Sequence, residues 1–155
     1  GSILKKIHTK ILGVCENGKE TETITRLSRV GFDNVLGYLD GGFDSWKKSK
    51  EEIDYINSVS AYDLKEIINS DIDLLDVRRE NERENGFLQN SLNIPLNTIE
   101  TKIEILDKTR EYYIHCARGY RSMIACSILK RMGFDSLFDI KGGFAQIRKS
   151  ELEIV

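Results

Sequence analysis

From about residue 55 the chain alternates short apolar runs with segments whose apolar residues recur every three or four positions. The runs at 72–77, 91–94, 112–115 and 137–138 predict strands. Helical spacing covers 61–69, 121–132 and 143–149, and a weaker helical pattern covers 98–106. In the first of these, Leu64, Ile67 and Ile68 mark one face, and Ser60 stands where an N-cap is wanted. Residues 81–85 are polar and predict a loop or a single helical turn, and Pro95, the only proline, stops the strand before it. Strands that alternate with helices predict a parallel sheet covered on both faces. Such sheets bind their ligands at the carboxyl ends of the strands, where Asp76 and Cys116 stand.

The pattern also repeats. Residues 25–43 read TRLSRVGFDNVLGYLDGGF and residues 127–144 read SILKRMGFDSLFDIKGGF. Each copy predicts a helix ending at glycine, a short strand, a Gly-Gly turn and a short amphipathic helix. Upstream, 10–14 predicts a strand, and Cys15 to Glu20 falls near the place of Cys116 to Arg121. Without a gap, Val14 rather than Cys15 faces Cys116; either way a glutamate, Glu16 or Glu20, stands where the second copy has an arginine. Residues 1–50 therefore read as the trailing half of a degenerate domain, 51–56 as a polar linker and 57–155 as a complete domain. Half a parallel sheet leaves strand edges and apolar faces open, so 1–50 is expected to pack on the complete domain, swap with another copy, or be disordered.

Composition narrows the class. The 155 residues are 40% hydrophobic and 31% charged with a net charge of −2, which argues against general binding to nucleic acid or a membrane surface. No apolar run reaches the length of a membrane span. Cys15, Cys116 and Cys126 are odd in number and lack metal-ligand spacing, so neither a disulfide framework nor a metal site is expected, and a cytoplasmic setting fits.

The chemistry concentrates in His115-Cys116-Ala117-Arg118-Gly119-Tyr120-Arg121-Ser122. This segment is the turn from a predicted strand to a predicted helix. Backbone N–H groups of residues 117–121 can curl into a nest around the sulfur, the positive helix end lies close by, and Gly119 permits the tight bend. The thiolate is the reactive form of cysteine, and such surroundings lower its usual pKa of about 8.5. The sulfur must also be open to attack. Arg121 can brace the loop or meet an anion, whereas Arg118 at the tip is better placed for substrate. Phosphatase-type loops carry arginine six positions after the cysteine; here that position is Ser122, and the arginine comes one earlier. The smaller cradle suits a single sulfur atom better than phosphate or arsenate.

The loop CARGYR, the segment Asp76-Val77-Arg78, the stretch 86–95 (GFLQNSLNIP), and Gly133-Phe134 followed by Gly142-Gly143-Phe144 resemble rhodanese domains. The resemblance spans 57–155 and implies an α/β fold with a five-stranded parallel sheet and helices on both faces, preceded here by the partial repeat. It implies a sulfurtransferase without cofactor, in which Cys116 takes sulfane sulfur from thiosulfate or a persulfide and passes it to cyanide or a thiol. Residues 117–121 would bind the persulfide. Asp76 would accept hydrogen bonds from the loop or Arg121, and Arg78 would pair with Glu82, four positions on. Two positions depart from the family pattern: Phe87 replaces a usual histidine and Arg83 a usual aromatic. The order, inactive copy then active copy, is similar to the C-terminal part of proteins that fuse a metallo-β-lactamase-like hydrolase to rhodanese domains. The rival readings are a small cysteine phosphatase or arsenate reductase, and a non-catalytic module regulating a fused hydrolase.

The remaining candidates read as structural. Cys126 lies inside a helical pattern between Ile124 and Ile128, strand alternation turns His115 away from Cys116, and Trp46 and Phe144 read as core anchors. Acidic neighbours argue against a reactive Cys15.

Overall fold

The computed structural model describes residues 4, 6–68 and 72–155. It divides into two units, 1–54 and 55–155. In the first, β1 (Ile11–Gly13) and β2 (Val35–Tyr38) pair in parallel, with α1 (Glu20–Ser28) between them in sequence and α2 (Gly42–Lys48) after them. Phe32 is buried, but Trp46 is 39% exposed, so the expected anchor at 46 does not enter a core.

The second unit holds β3 (Asn57–Val59), α3 (Ala61–Ile67), β4 (Asp73–Asp76), α4 (Glu80–Arg83), β5 (Leu92–Asn93), β6 (Tyr112–His115), α5 (Tyr120–Arg131), β7 (Leu137–Ile140) and α6 (Phe144–Ile147). Its five strands are all parallel and run in the order β3-β7-β6-β4-β5. Alternation along the central strands builds two cores. Leu75 and Ile114 face one side with Cys126, Leu129 and Phe134, while Leu74 and Tyr113 face the other with Leu64, Phe144 and Ile147. A sheet covered on both faces needs strands that are apolar on both, and all of β6 is buried.

Three expectations change. Ser60 caps α3 through a reciprocal capping box with Asp63, but α3 ends at Ile67, and the expected last turn at Asn69 lies outside the described residues. The helix expected over 98–106 is instead two 3₁₀ turns, Leu96–Thr98 and Ile103–Ile105. The hydroxyls of Thr98 and Thr101 donate to the carbonyls of Pro95 and Thr98, and side-chain bonds of this kind compete with a continuous helix. The edge strand β3 lies in a stretch too polar and short to read as a strand. Among the described residues, no helix is long and apolar enough to cross a membrane.

Candidate active site

Parallel pairing brings the carboxyl ends of β4, β6 and β7 to one edge, and the turn from Cys116 to α5 lies there. Gly119 adopts φ +94°, left-handed backbone that favours glycine, and no side chain caps the helix that follows. The turn is held from behind. Phe144 and Ala145 donate backbone N–H groups to the carbonyls of Cys116 (2.7 Å) and Ala117 (3.0 Å). With those carbonyls drawn toward α6, the Gly119 N–H reaches Cys116 Sγ at 3.2 Å. Of the expected ring at 117–121, this is the N–H at hydrogen-bonding distance from the sulfur among the described residues. The Ser122 hydroxyl stands 3.6 Å from the same sulfur.

The sulfur is not open as expected: Cys116 is 1% exposed and belongs to the core on the α5 side. The bonds from α6 pull the turn down, so Cys116 forms the floor of the cradle. Arg118 and Tyr120 are exposed.

The charged groups divide into braces. Arg121 donates twice to Glu82, at 2.6 Å each, and this pairing holds the Glu82 carboxyl down at about 2. Arg121 thus braces the turn. Arg78 does not pair with the Glu82 carboxylate; it forks onto Asp76 at 2.7–3.0 Å and donates to the carbonyls of Glu82 and Gly86. The (i, i+4) rule fails because α4 begins only at Glu80, so Arg78 and Glu82 share no helix face. Nor does Asp76 accept from the loop or Arg121: it is fully buried, and its oxygens receive Arg78. The Arg78 guanidinium also lies 3.8 Å from the Phe144 ring centre, which couples the β4 end to α6. The two departures from the family pattern stack on each other, with the Arg83 guanidinium 4.0 Å from the Phe87 ring centre.

His115 points away from Cys116, as alternation predicts, and lies in a stacked arrangement with Phe144 at 6.0 Å. Burial pushes its pKa down to about 4, so the ring is neutral at pH 7. Cys126 is fully buried, and burial pushes its thiol up to about 12. Sequence reasoning missed Gly143 and Ser122 as parts of the site; the doubled Gly-Gly-Phe and the serine directly after Arg121 were the available signals.

The first unit carries a similar turn. Gly18, three residues after Cys15, has φ +84°, and Gly42 packs on the Cys15 carbonyl as Gly143 packs on that of Cys116. Cys15 thus stands in a local setting like that of Cys116, three residues before a glycine with positive φ and against a glycine packed on its carbonyl. The Gly18 N–H is taken by the Glu20 carboxylate at 2.9 Å.

Residues 60–150 match the model of the rhodanese-like domain. YtwF of Bacillus subtilis (strain 168) is 37% identical over 90 residues, covering 57% of this chain and 86% of that protein. A sulfurtransferase of Allochromatium vinosum is 29% identical over 85 residues, covering 55% of this chain and 79% of its own length. The solved structure of a rhodanese-related protein from Thermoplasma volcanium matches with a TM-score of 0.60 at 33% identity, over 64% of this chain and 97% of that one. The α/β fold, the loop and these relatives agree: the chain belongs to the rhodanese-like domain family.

Proposed function

We propose that the protein is a sulfurtransferase that carries sulfane sulfur as a persulfide on Cys116. The observation that carries this reading is the Gly119 N–H directed at Sγ from a turn whose carbonyls are occupied elsewhere. The Allochromatium vinosum relative, a sulfurtransferase, supports the reaction class. In the first step the Cys116 thiolate attacks the sulfane sulfur of thiosulfate; a new S–S bond forms, the old one breaks, and sulfite leaves with the electron pair. In the second, cyanide or a thiolate attacks the outer sulfur and Cys116 leaves as thiolate. The persulfide extends the side chain by about 2 Å, one S–S bond, which brings the transferred atom up from the floor of the cradle. Backbone donors stabilise the anionic outer sulfur. With Arg121 engaged by Glu82, the exposed Arg118 meets the anionic donor at the rim. Neutral His115 faces the opposite core, so the reading assigns it no base role.

Residues 1–50 act in this reading as a degenerate, non-catalytic repeat. Glu20 already occupies its turn, and no arginine stands where the active turn has two. The three cysteines are free thiols, which fits a reducing, cytoplasmic setting. Mass spectrometry after thiosulfate treatment, followed by cyanide release, tests the assignment. One sulfur on Cys116, lost with Cys116→Ala and kept with Cys15→Ala, is expected. Labile sulfur on the Cys116→Ala protein, or turnover of a phosphate ester without sulfur transfer, would overturn it.

A further inference from the structure

The two transfer steps give no role to the Ser122 hydroxyl, yet it stands beside the reacting sulfur. Ser122 lies in the first turn of α5, directly after the bracing Arg121, and is fully buried. Its oxygen is 3.0 Å from the Gly119 carbonyl oxygen and 3.6 Å from Cys116 Sγ. A hydroxyl has one proton and turns about its bond to carbon, so it can donate to one of these acceptors at a time. Turning it to the sulfur leaves no orphan behind, because the Gly119 carbonyl still accepts the Met123 N–H at 3.4 Å. Full burial keeps bulk water from taking the place of either bond.

The charge on Sγ decides which acceptor wins. A hydrogen bond to an ionised acceptor is roughly twice as strong as one between neutral groups. A thiolate Sγ therefore draws the Ser122 proton away from the carbonyl. Once sulfur is loaded, the negative charge sits on the outer atom, and Sγ becomes a neutral bridging sulfur, which accepts weakly. The hydroxyl then returns to the Gly119 carbonyl. During discharge the acceptor attacks the outer sulfur, the S–S bond breaks, and its electron pair goes back to Sγ. Charge grows on Sγ in that transition state. A donor that engages there and not in the loaded ground state lowers the barrier.

Resting on the sulfurtransferase reading, we propose that Ser122 is a catalytic residue whose hydroxyl turns from the Gly119 carbonyl to Cys116 Sγ as the persulfide discharges, making Sγ a better leaving group. The proton stays on Ser122 Oγ throughout. Gly119 N–H, at 3.2 Å, is the fixed donor to the same sulfur, and Ser122 is the one that turns. The contact favours the free thiolate over the persulfide, so it speeds discharge and holds the loading equilibrium back.

The test compares Ser122→Ala with its parent in a Cys15→Ala background at about pH 9.5, above the ordinary range of a thiol. Alanine removes one oxygen and suits a helix, so the variant folds. At a fixed ratio of thiosulfate to sulfite, mass spectrometry is expected to find about tenfold more persulfide relative to free Cys116 in the variant, the scale of one hydrogen bond to a charged group. Single-turnover discharge by cyanide should slow several-fold, while loading from thiosulfate is not slowed. Ser127→Ala is the control: that exposed hydroxyl donates to the Met123 carbonyl at 3.1 Å on the same helix, and its loss should change neither rate nor ratio. An unchanged persulfide ratio, equal slowing of both steps, or the same shift in Ser127→Ala would each overturn the proposal. A second readout needs no sulfur transfer. The pH profile of Cys116 reaction with methyl methanethiosulfonate should move up by about one pH unit in Ser122→Ala. An unmoved profile would also overturn the proposal, whereas a moved profile in a protein that takes no sulfur from thiosulfate would leave the Ser122 donor standing and refute the sulfurtransferase reading alone.

Discussion

Gly143 offers a sharp test of how α6 shapes the sulfur cradle. Its backbone lies at φ +57°, ψ −150°, a region that side chains rarely adopt. A Cβ there would stand 2.3 Å from the Cys116 carbonyl oxygen and 3.0 Å from the Arg118 nitrogen, both backbone atoms that cannot rotate aside. Gly143→Ala thus incurs about 1–3 kcal/mol of backbone strain. To relieve the collision the turn must separate from α6, which breaks the bonds to Cys116 and Ala117, about 1 kcal/mol each. The sum is about 3–5 kcal/mol, a drop in Tm of roughly 12–30 °C for a domain near 100 residues. Gly133→Ala is the control. It shares a positive φ, +88°, but its Cβ would meet only the flexible end of Lys108 at 3.4 Å. That variant is expected to lose about 1–2 kcal/mol and to load sulfur normally once folded. Thermal unfolding and the rate of sulfur uptake from thiosulfate, each per folded molecule, distinguish the two. A Gly143→Ala protein with wild-type Tm and wild-type uptake would refute the claim that α6 sets the turn.

Glu82 is held at about 2 against an ordinary 4.5, mainly by Arg121, so its contribution is present above pH about 4.5 and lost as pH falls through about 2. After allowance for partial exposure this amounts to about 1–2 kcal/mol, and Glu82→Gln should flatten that window in urea titrations; an identical slope in both proteins would count against the brace. His115 is depressed from 6.5 to about 4 by burial, so the unfolded chain binds the proton first. Stability is therefore full above pH about 6.5 and falls by roughly 3 kcal/mol toward pH 4, a slope that His115→Phe should remove and that would disprove the neutral-ring assignment if it persisted. Arg118→Ala should raise the KM for thiosulfate several-fold with kcat little changed, whereas an equal fall in kcat at constant KM would show that Arg118 acts on the reacting atoms instead.

Some of this molecule is written in short-range pattern. The helix–strand alternation, the Ser60 cap and the bend at Gly119 depend on neighbours a few residues apart, and the cysteine at the strand–helix junction follows from them. Local pattern failed where folding brings distant groups together. Arg78 chose Asp76 over Glu82 because helix geometry starts two residues too late. The strand at 57–59 exists because β7 supplies hydrogen-bond partners for a polar segment. Cys116 lies low in its turn because backbone N–H groups of residues 144 and 145 bond the carbonyls of Cys116 and Ala117. Spacing along a chain governs which backbone shapes are cheap, whereas the burial of a charge and the choice of its partner depend on what the finished packing leaves within reach.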